Sequence, residues 1–438
     1  MDLLKSIFKG DKVIWIIFLC LCLISIIEVF SAASTLTYKS GDHWGPITQH
    51  SIILMVGAVV VVFLHNVPYK WFQVFPVFLY PISLVLLAFV TLMGIITGDR
   101  VNGAARWMTF MGLQFQPSEL AKMAVIIAVS FILSKRQDEE GANPKAFKYI
   151  MILTGLVLVL IAPENLSTAM LLFGVVFMMM FIGRVAAKKL LLLAGGLVLI
   201  VALGVGTVVA IPAKTLHSTP GLHRLETWQN RIKGFFDKDE VPAAKFDIDK
   251  DAQIAHARIA IATSHVVGKG PGNSIQRDFL SQAFSDFIFA IVIEEMGLIG
   301  GIFVVFLYLC LLMRAGRIAQ KCERTFPAFL VMGIALLLVS QAILNMMVAV
   351  GLFPVTGQPL PLVSKGGTST LINCAYIGMI LSVSRYTAHL EEQKAHDAQL
   401  QMQIEAGTAT SEAQAAAEPT AQILNSDAKF EDEHDSSK

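Results

Sequence analysis

Apolar runs that carry almost no charge, most about twenty residues long and joined by short polar connections, set the pattern of this chain. An α-helix rises 1.5 Å per residue, so about twenty residues span the roughly 30 Å of bilayer hydrocarbon. The pattern predicts about ten spans, near 13–33, 51–65, 73–96, 118–134, 147–162, 165–183, 189–211, 285–313, 327–351 and 367–385. The second and fifth are short. The expected fold is an all-α polytopic membrane protein in which one connection stands apart, a long outer loop over 212–284 between the seventh and eighth spans.

Composition agrees with a lipid solvent. Of 438 residues, 55% are hydrophobic and 15% charged, against roughly 25% charged in soluble domains. The first run, Val13–Ala33, is too long for a signal-peptide core and no small-residue cleavage site follows it, so it reads as a retained helix. Lys and Arg concentrate in alternate connections, as in Lys135, Arg136, Lys145 and Lys148, then Arg184, Lys188 and Lys189, then Arg314, Arg317, Lys321 and Arg324. The opposite short loops hold only Lys39, Arg100, Arg106 and Lys365. This asymmetry predicts an even number of crossings with both termini cytoplasmic. A net charge of +1 and the absence of a long basic stretch argue against nucleic acid as a partner. The five cysteines show no metal-type pair and read as small buried hydrophobes or idle thiols.

Within the long loop, DAQIAHARIAIATSHVVG sets Ile254, Ile261 and Val266 among alanines, His256, Arg258 and His265, which predicts a short amphipathic helix at the membrane surface. Past Tyr386 the chain turns to Glu, Gln, Ala, Ser and Asp, and 388–438 reads as a polar, disordered cytoplasmic tail with a helical start.

Ionisable groups inside spans are costly and therefore functional candidates. Glu119 and Lys122 in QPSELAK share a helix face, either lining an outward-facing polar cavity or forming a structural ion pair near the interface. Pro163 and Glu164 sit in an APENLST turn, where proline ends one helix and Ser167 or Thr168 caps the next. In SQAFSDFIFAIVIEEMGLIGG, Asp286 stands where the long loop enters a span, as a general base or a plain N-cap, with Glu294 and Glu295 deeper. An ideal helix sets Asp286 and Glu294 about 80° apart with Glu295 opposite, so the three do not share one task. Above Asp286 lie Arg224, Arg231, Arg258, Lys269 and Arg277, cations suited to an anionic phosphate or simply solvated. Gln341 and Asn345 share a face of the ninth span as hydrogen-bonding glue between helices. The prolines and glycines of GLFPVTGQPLPLVSKGGTST forbid a regular helix there, and such backbone is tolerated at membrane depth only when buried in protein or lining a cavity.

Four ordered strings, NGAARWMTFMGLQFQPSELAKMA, the PENLSTA turn, GKGPGNSIQRDFLSQAFSDFIFAIVIEEMGLIG and GLFPVTGQPLPLVSKGGTS, resemble the SEDS family (shape, elongation, division and sporulation), which includes FtsW, RodA and SpoVE. The resemblance covers about 11–387 and implies a ten-helix peptidoglycan glycosyltransferase domain over 1–387. It implies polymerisation of lipid II at the outer face of the cytoplasmic (inner) membrane, beside a class B penicillin-binding protein and other divisome or elongasome membrane proteins. By the same resemblance Asp286 is the catalytic carboxylate, Glu119 and Lys122 line a central cavity, and Ser364, Lys365, Gly366 and Gly367 belong to an outer loop tied to activity. Where the family commonly has LPEAHTDF, this chain has LSQAFSDF, so Ser281, Gln282 and Phe284 supply neither acid nor imidazole. The turn that is usually Pro-Asp is Pro163 and Glu164. The GDK start and the long tail lean towards the division branch.

The chemistry expected is inverting transfer of a sugar hydroxyl onto a second lipid-linked disaccharide, with Asp286 as base. Glu164, Arg231, Arg258 and Arg277 are further candidates for substrate contact, and the cofactor is undetermined, a divalent Mg or Mn ion at the pyrophosphate being the candidate. Two other classes compete. One is a flippase for the same lipid, for which no inverted repeat is found; the other is a division scaffold docked through its tail.

Overall fold

In the computed structural model the described residues are 9–40, 45–96, 107–110, 113–139, 141–211, 229, 251–280 and 285–435. The spans α1 to α7 are Lys12–Ser40, Gly45–Asn66, Phe75–Ile96, Pro117–Lys135, Pro144–Ile161, Leu166–Ile182 and Ala187–Ala210. Helix α8, Asp251–Thr263, belongs to the long loop, and α9 (Ile288–Gln320), α10 (Thr325–Ala349) and α11 (Gly367–Asp435) follow. Two short hairpins, Met108–Phe110 with Leu113–Phe115 and Gln137–Asp138 with Gly141–Ala142, lie in connections.

Among the described residues nine helices are long and apolar enough to cross a membrane, and α6 is apolar with 17 residues, at the lower end of the spanning range. Each predicted span therefore has its helix, and the protein is a multi-pass membrane protein. The chain divides into Met1–Arg385, which holds the bundle, and Tyr386–Lys438. Taken by itself, the second unit is helical as far as Asp435.

Burial separates centre from rim. Helices α4 and α10 bury 72% and 67% of their spans and pack on each other, with α9 against α10, α3 and α5 against α4, and α6 against α10. Helix α7 buries only 6% of its span and presents Leu191, Leu192, Val198, Leu199 and Ile200 outward. In lipid such a surface has no reason to be covered. At the start of α1, Asp11 Oδ1 accepts from the main-chain N–H of Val13 and Ile14 at 2.9 and 3.2 Å. Its Oδ2 takes Arg314 Nε at 2.5 Å, fastening this end to α9.

Two local expectations are corrected. In the APENLST turn the cap of α6 is Asn165, whose Oδ1 accepts from Thr168 N at 3.2 Å, and not Ser167 or Thr168. Asparagine one residue before the helix has the short reach an N-cap needs. Helix α9 is not one continuous rod, because Gly297 sits at φ 72°, ψ −175° and interrupts it. The interruption exposes main-chain groups, and the long loop takes them. Leu298 N and Ile299 N donate to His265 O and Val266 O at 3.2 and 3.3 Å, while Lys269 N and Gly270 N donate to Glu294 O and Glu295 O at 3.0 and 2.8 Å. The two strands of backbone approach so closely that a Cβ on Gly297 would stand 2.3 Å from Val266 O, and one on Gly268 2.3 Å from Gly297 N.

Candidate active site

Buried carboxylates complete the fastening of the long loop. Glu294 accepts from Lys269 Nζ at 2.5 Å, Ser274 Oγ at 2.5 Å, Ile275 N at 3.2 Å and Gln276 N at 3.3 Å. Glu295 accepts from Gly272 N and Ser274 N at 2.9 and 3.2 Å and from the hydroxyl of Ser31 on α1. Arg277 lies 3.8 Å from Glu295 and donates to Ser31 Oγ and Gly272 O, each at 2.7 Å. Neighbouring glutamates thus serve neighbouring parts of one loop, and Asp286 stands outside that clamp. Lys269 and Arg277, two of the cations above Asp286, are spent inside it. Helix α8 closes the arrangement, burying Ala257 and Ala260 while Ile259 faces outward. His256 stacks on Phe279 at 4.9 Å and bonds Gln276 at 2.6 Å. Arg258 points at the end of α10, its Nε 3.0 Å from where a Cβ of Gly351 would be, and a helix C-terminus favours a cation.

Asp286 is half-buried just ahead of α9. It is not the N-cap: Phe287 holds that position and no side chain caps the helix there. Its Oδ1 accepts from Ser285 Oγ at 3.0 Å, and its main-chain carbonyl accepts from Asn345 Nδ2 at 3.0 Å. The adjoining carbonyl, that of Ser285, accepts from Ser364 Oγ at 2.7 Å.

The Pro- and Gly-rich segment runs beneath, and side chains from surrounding helices satisfy its backbone. Gln358 O takes Asn345 Nδ2 at 2.8 Å, Pro359 O takes Gln341 Nε2 at 2.9 Å, and Val363 O takes Ser25 Oγ at 2.7 Å. Pro361 O takes the Tyr308 hydroxyl, and Gln358 Nε2 donates to Thr168 Oγ1 at 2.7 Å. Buried irregular backbone requires such partners. Leu362, buried, is held at φ 67°, a left-handed conformation a leucine adopts only when its surroundings impose it.

Glu119 and Lys122 pair at 2.7 Å with side chains 2% and 0% exposed, so protein encloses the pair on every side. Lys122 Nζ also donates to Gln341 Oε1 at 2.9 Å, which joins the pair to Pro359 and hence to the same segment. Glu119 Oε2, Asn345 Oδ1, Gln358 Oε1 and the Tyr376 hydroxyl are buried without a hydrogen-bond partner, an unusual local density of unmet polar atoms. Glu164, with Ser118 and Asn165, lines a separate cavity of roughly 20 Å³ between α3, α4 and α5, about the size of one water. Lys365, half-buried beside His50, has its ammonium pushed below the usual lysine range by burial. Gly366 leaves room for Ser369, since a Cβ there would stand 2.2 Å from Ser369 Oγ. Gly367 opens α11 against Gln114, and Thr368 Oγ1 donates to Gln114 O at 3.1 Å. Arg231, Arg224, Ser281, Gln282 and Phe284 lie outside the described residues.

The structure thus joins Asp286, Ser364, Glu119 and Lys122 through one network and places Arg258, Arg277 and Glu164 elsewhere. Sequence reasoning missed Glu28, buried on α1 near Glu295 with neither carboxylate oxygen hydrogen-bonded. The signal was available, since it is the lone acid in the run Val13–Ala33. Among the described residues no group of three or more His, Cys, Asp or Glu side chains is arranged to hold a metal.

These features define a polytopic helical membrane protein with a buried polar network under a clamped long loop. The chain belongs to the FtsW/RodA/SpoVE family of cell cycle proteins, whose family model matches residues 11–389. It is 32% identical to the probable peptidoglycan glycosyltransferase FtsW of Trichlorobacter lovleyi over 377 residues, 85% of this chain and 93% of that protein. Its fold is similar to a chain from a peptidoglycan synthase complex that coordinates polymerization and crosslinking, with TM-score 0.67 and 24% identity over 87% of this chain and 99% of that one. The rod shape determining protein RodA of Thermus thermophilus is also similar, with TM-score 0.59 and 23% identity over 86% and 97%.

Proposed function

We propose that this protein is a peptidoglycan glycosyltransferase that polymerises lipid II at the outer face of the cytoplasmic membrane, with both termini inside and a class B penicillin-binding protein as partner. The observation that carries the reading is the convergence of the buried network on Asp286 at the mouth of α9. Family membership and the names of the relatives support the activity.

The role given to Asp286 is that of general base. A hydroxyl of one lipid-linked disaccharide attacks the anomeric carbon of another, its proton passes to the Asp286 carboxylate, and the bond to the polyprenyl pyrophosphate breaks with inversion. Proton removal of this kind contributes about 10²- to 10⁴-fold in rate. Charge grows on the departing pyrophosphate, and a cation there stabilises the transition state more than the ground state. Lys365 is the candidate, one residue from Ser364 and hence close to the Asp286 backbone.

The test uses detergent-solubilised protein and lipid II in mixed micelles, with and without the partner transpeptidase. A micelle has no two faces, so lipid flipping yields no product there. Glycan formation supports the transferase, and its absence in both conditions overturns it.

A further inference from the structure

We propose that Asn345 and Ser364 are positioning residues that together hold the Asp286 carboxylate at its reactive angle. The inference rests on the reading of Asp286 as the base. Both amide hydrogens of Asn345 are committed, one to Asp286 O at 3.0 Å and one to Gln358 O at 2.8 Å. Two carbonyl acceptors fix which side of the amide faces them. Ser364 holds the preceding carbonyl, that of Ser285, at 2.7 Å, and itself accepts from Leu360 N at 2.8 Å. Two consecutive peptide carbonyls are therefore clamped from two different elements, one from α10 and one from the Gln358–Ser364 segment. Fixing both holds the two peptide planes that flank the Asp286 Cα and so restricts φ and ψ there, which sets the direction of the Asp286 Cα–Cβ bond.

Helix α9 begins at Ile288 with Phe287 as its N-cap, so Ser285 and Asp286 precede its first turn. Ser285 Oγ adds a contact to Asp286 Oδ1 at 3.0 Å, but it moves with the same peptide. The clamp is also not the cheapest way to fill the space. Asn345 keeps its Oδ1 buried without a partner, a cost that a leucine of similar size would not carry. A displacement of about 1 Å at a reacting group costs on the order of 10²-fold in rate.

The experiment compares Asn345→Leu, Ser364→Ala and Ser364→Thr in the full-length protein, each with three readouts. The first is kcat and KM for lipid II polymerisation. Leu and Ala at these positions are expected to lower kcat by about 10- to 100-fold with KM within about twofold, and Thr, which keeps the hydroxyl, to recover most of the Ser364→Ala loss. The second is thermal stability, which separates misfolding from misplacement. The third is the rate at which a membrane-impermeant maleimide labels Asp286→Cys, followed by peptide mass spectrometry, in each background. A several-fold change in labelling supports the clamp even where activity is unmeasurable. Unchanged labelling with unchanged kcat overturns it, as does a loss of kcat that follows only the loss of folded protein. If the unaltered protein makes no polymer at all, the functional reading fails, while the labelling rates still decide the positioning claim.

Discussion

Replacing Glu294 with alanine tests the clamp that holds the long loop to the break in α9. The substitution removes the acceptor for Ile275 N, Gln276 N and the buried Ser274 hydroxyl at once. Each buried donor left unmet costs about 1–3 kcal/mol. Lys269, 24% exposed, turns to water and recovers part of its share. The net loss expected is about 3–5 kcal/mol, the usual cost of removing one partner from a buried pair. It should fall on the loop, because the packing of α9 on α10 persists. Lys269 and Arg277 are trypsin sites concealed by this clamp. With opening fast relative to cleavage, the cut rate follows the open population, so it should rise by roughly 10²-fold to a few thousandfold, one decade for each 1.4 kcal/mol. Tryptic digestion of protein in nanodiscs, read by mass spectrometry at Lys269 and Arg277, measures it. Cleavage of Glu294→Ala at the unaltered rate would refute the reasoning.

Further expectations follow from the same geometry. Gly297→Ala forces a Cβ to 2.3 Å from Val266 O at φ 72°, so it should free the 264–280 segment to proteolysis while the overall helical circular dichroism stays. Lys122→Met leaves Glu119 buried and unpaired and should cost about 3–5 kcal/mol, whereas Lys122→Met with Glu119→Gln should cost clearly less than the two single changes added, as thermal unfolding in one detergent will show. Glu28→Gln should be no less stable than the parent in the same assay, since Glu28 makes no hydrogen bond and lies near Glu295; a marked loss of stability would contradict that placement. For Lys365, burial lowers the folded pKa below the ordinary 10.5. Between the two values the unfolded chain binds the extra proton, so stability gains with rising pH across that window, and Lys365→Met should flatten the rise.

Most of the fold was legible because membrane crossing imposes one strong rule, and each apolar run produced its helix. The features hidden from that rule are those that hydropathy averages away. The break at Gly297 leaves no trace in an apolar window, because glycine there is required by contact with Gly268, about thirty positions earlier. Asp286, Glu119 and Lys122 stood out as charges in apolar surroundings, yet their connection through Gln341, Asn345 and Gln358 depends on how a segment some 75 residues beyond Asp286 folds back. Lys269 and Arg277 misled in the opposite direction. A cation in an outer loop invites a phosphate, but these two meet glutamates that an ideal helix would have pointed apart, and the long loop wraps far enough to reach both.

The central claim is that Asp286 takes the proton during glycan polymerisation. Purified Asp286→Asn protein, compared with the unaltered chain for lipid II binding and for turnover with the partner transpeptidase present, addresses it most directly. Binding within a few-fold of the parent with turnover reduced by about 10²-fold or more is the result expected. Polymer formed by Asp286→Asn at the parent's rate would contradict the account.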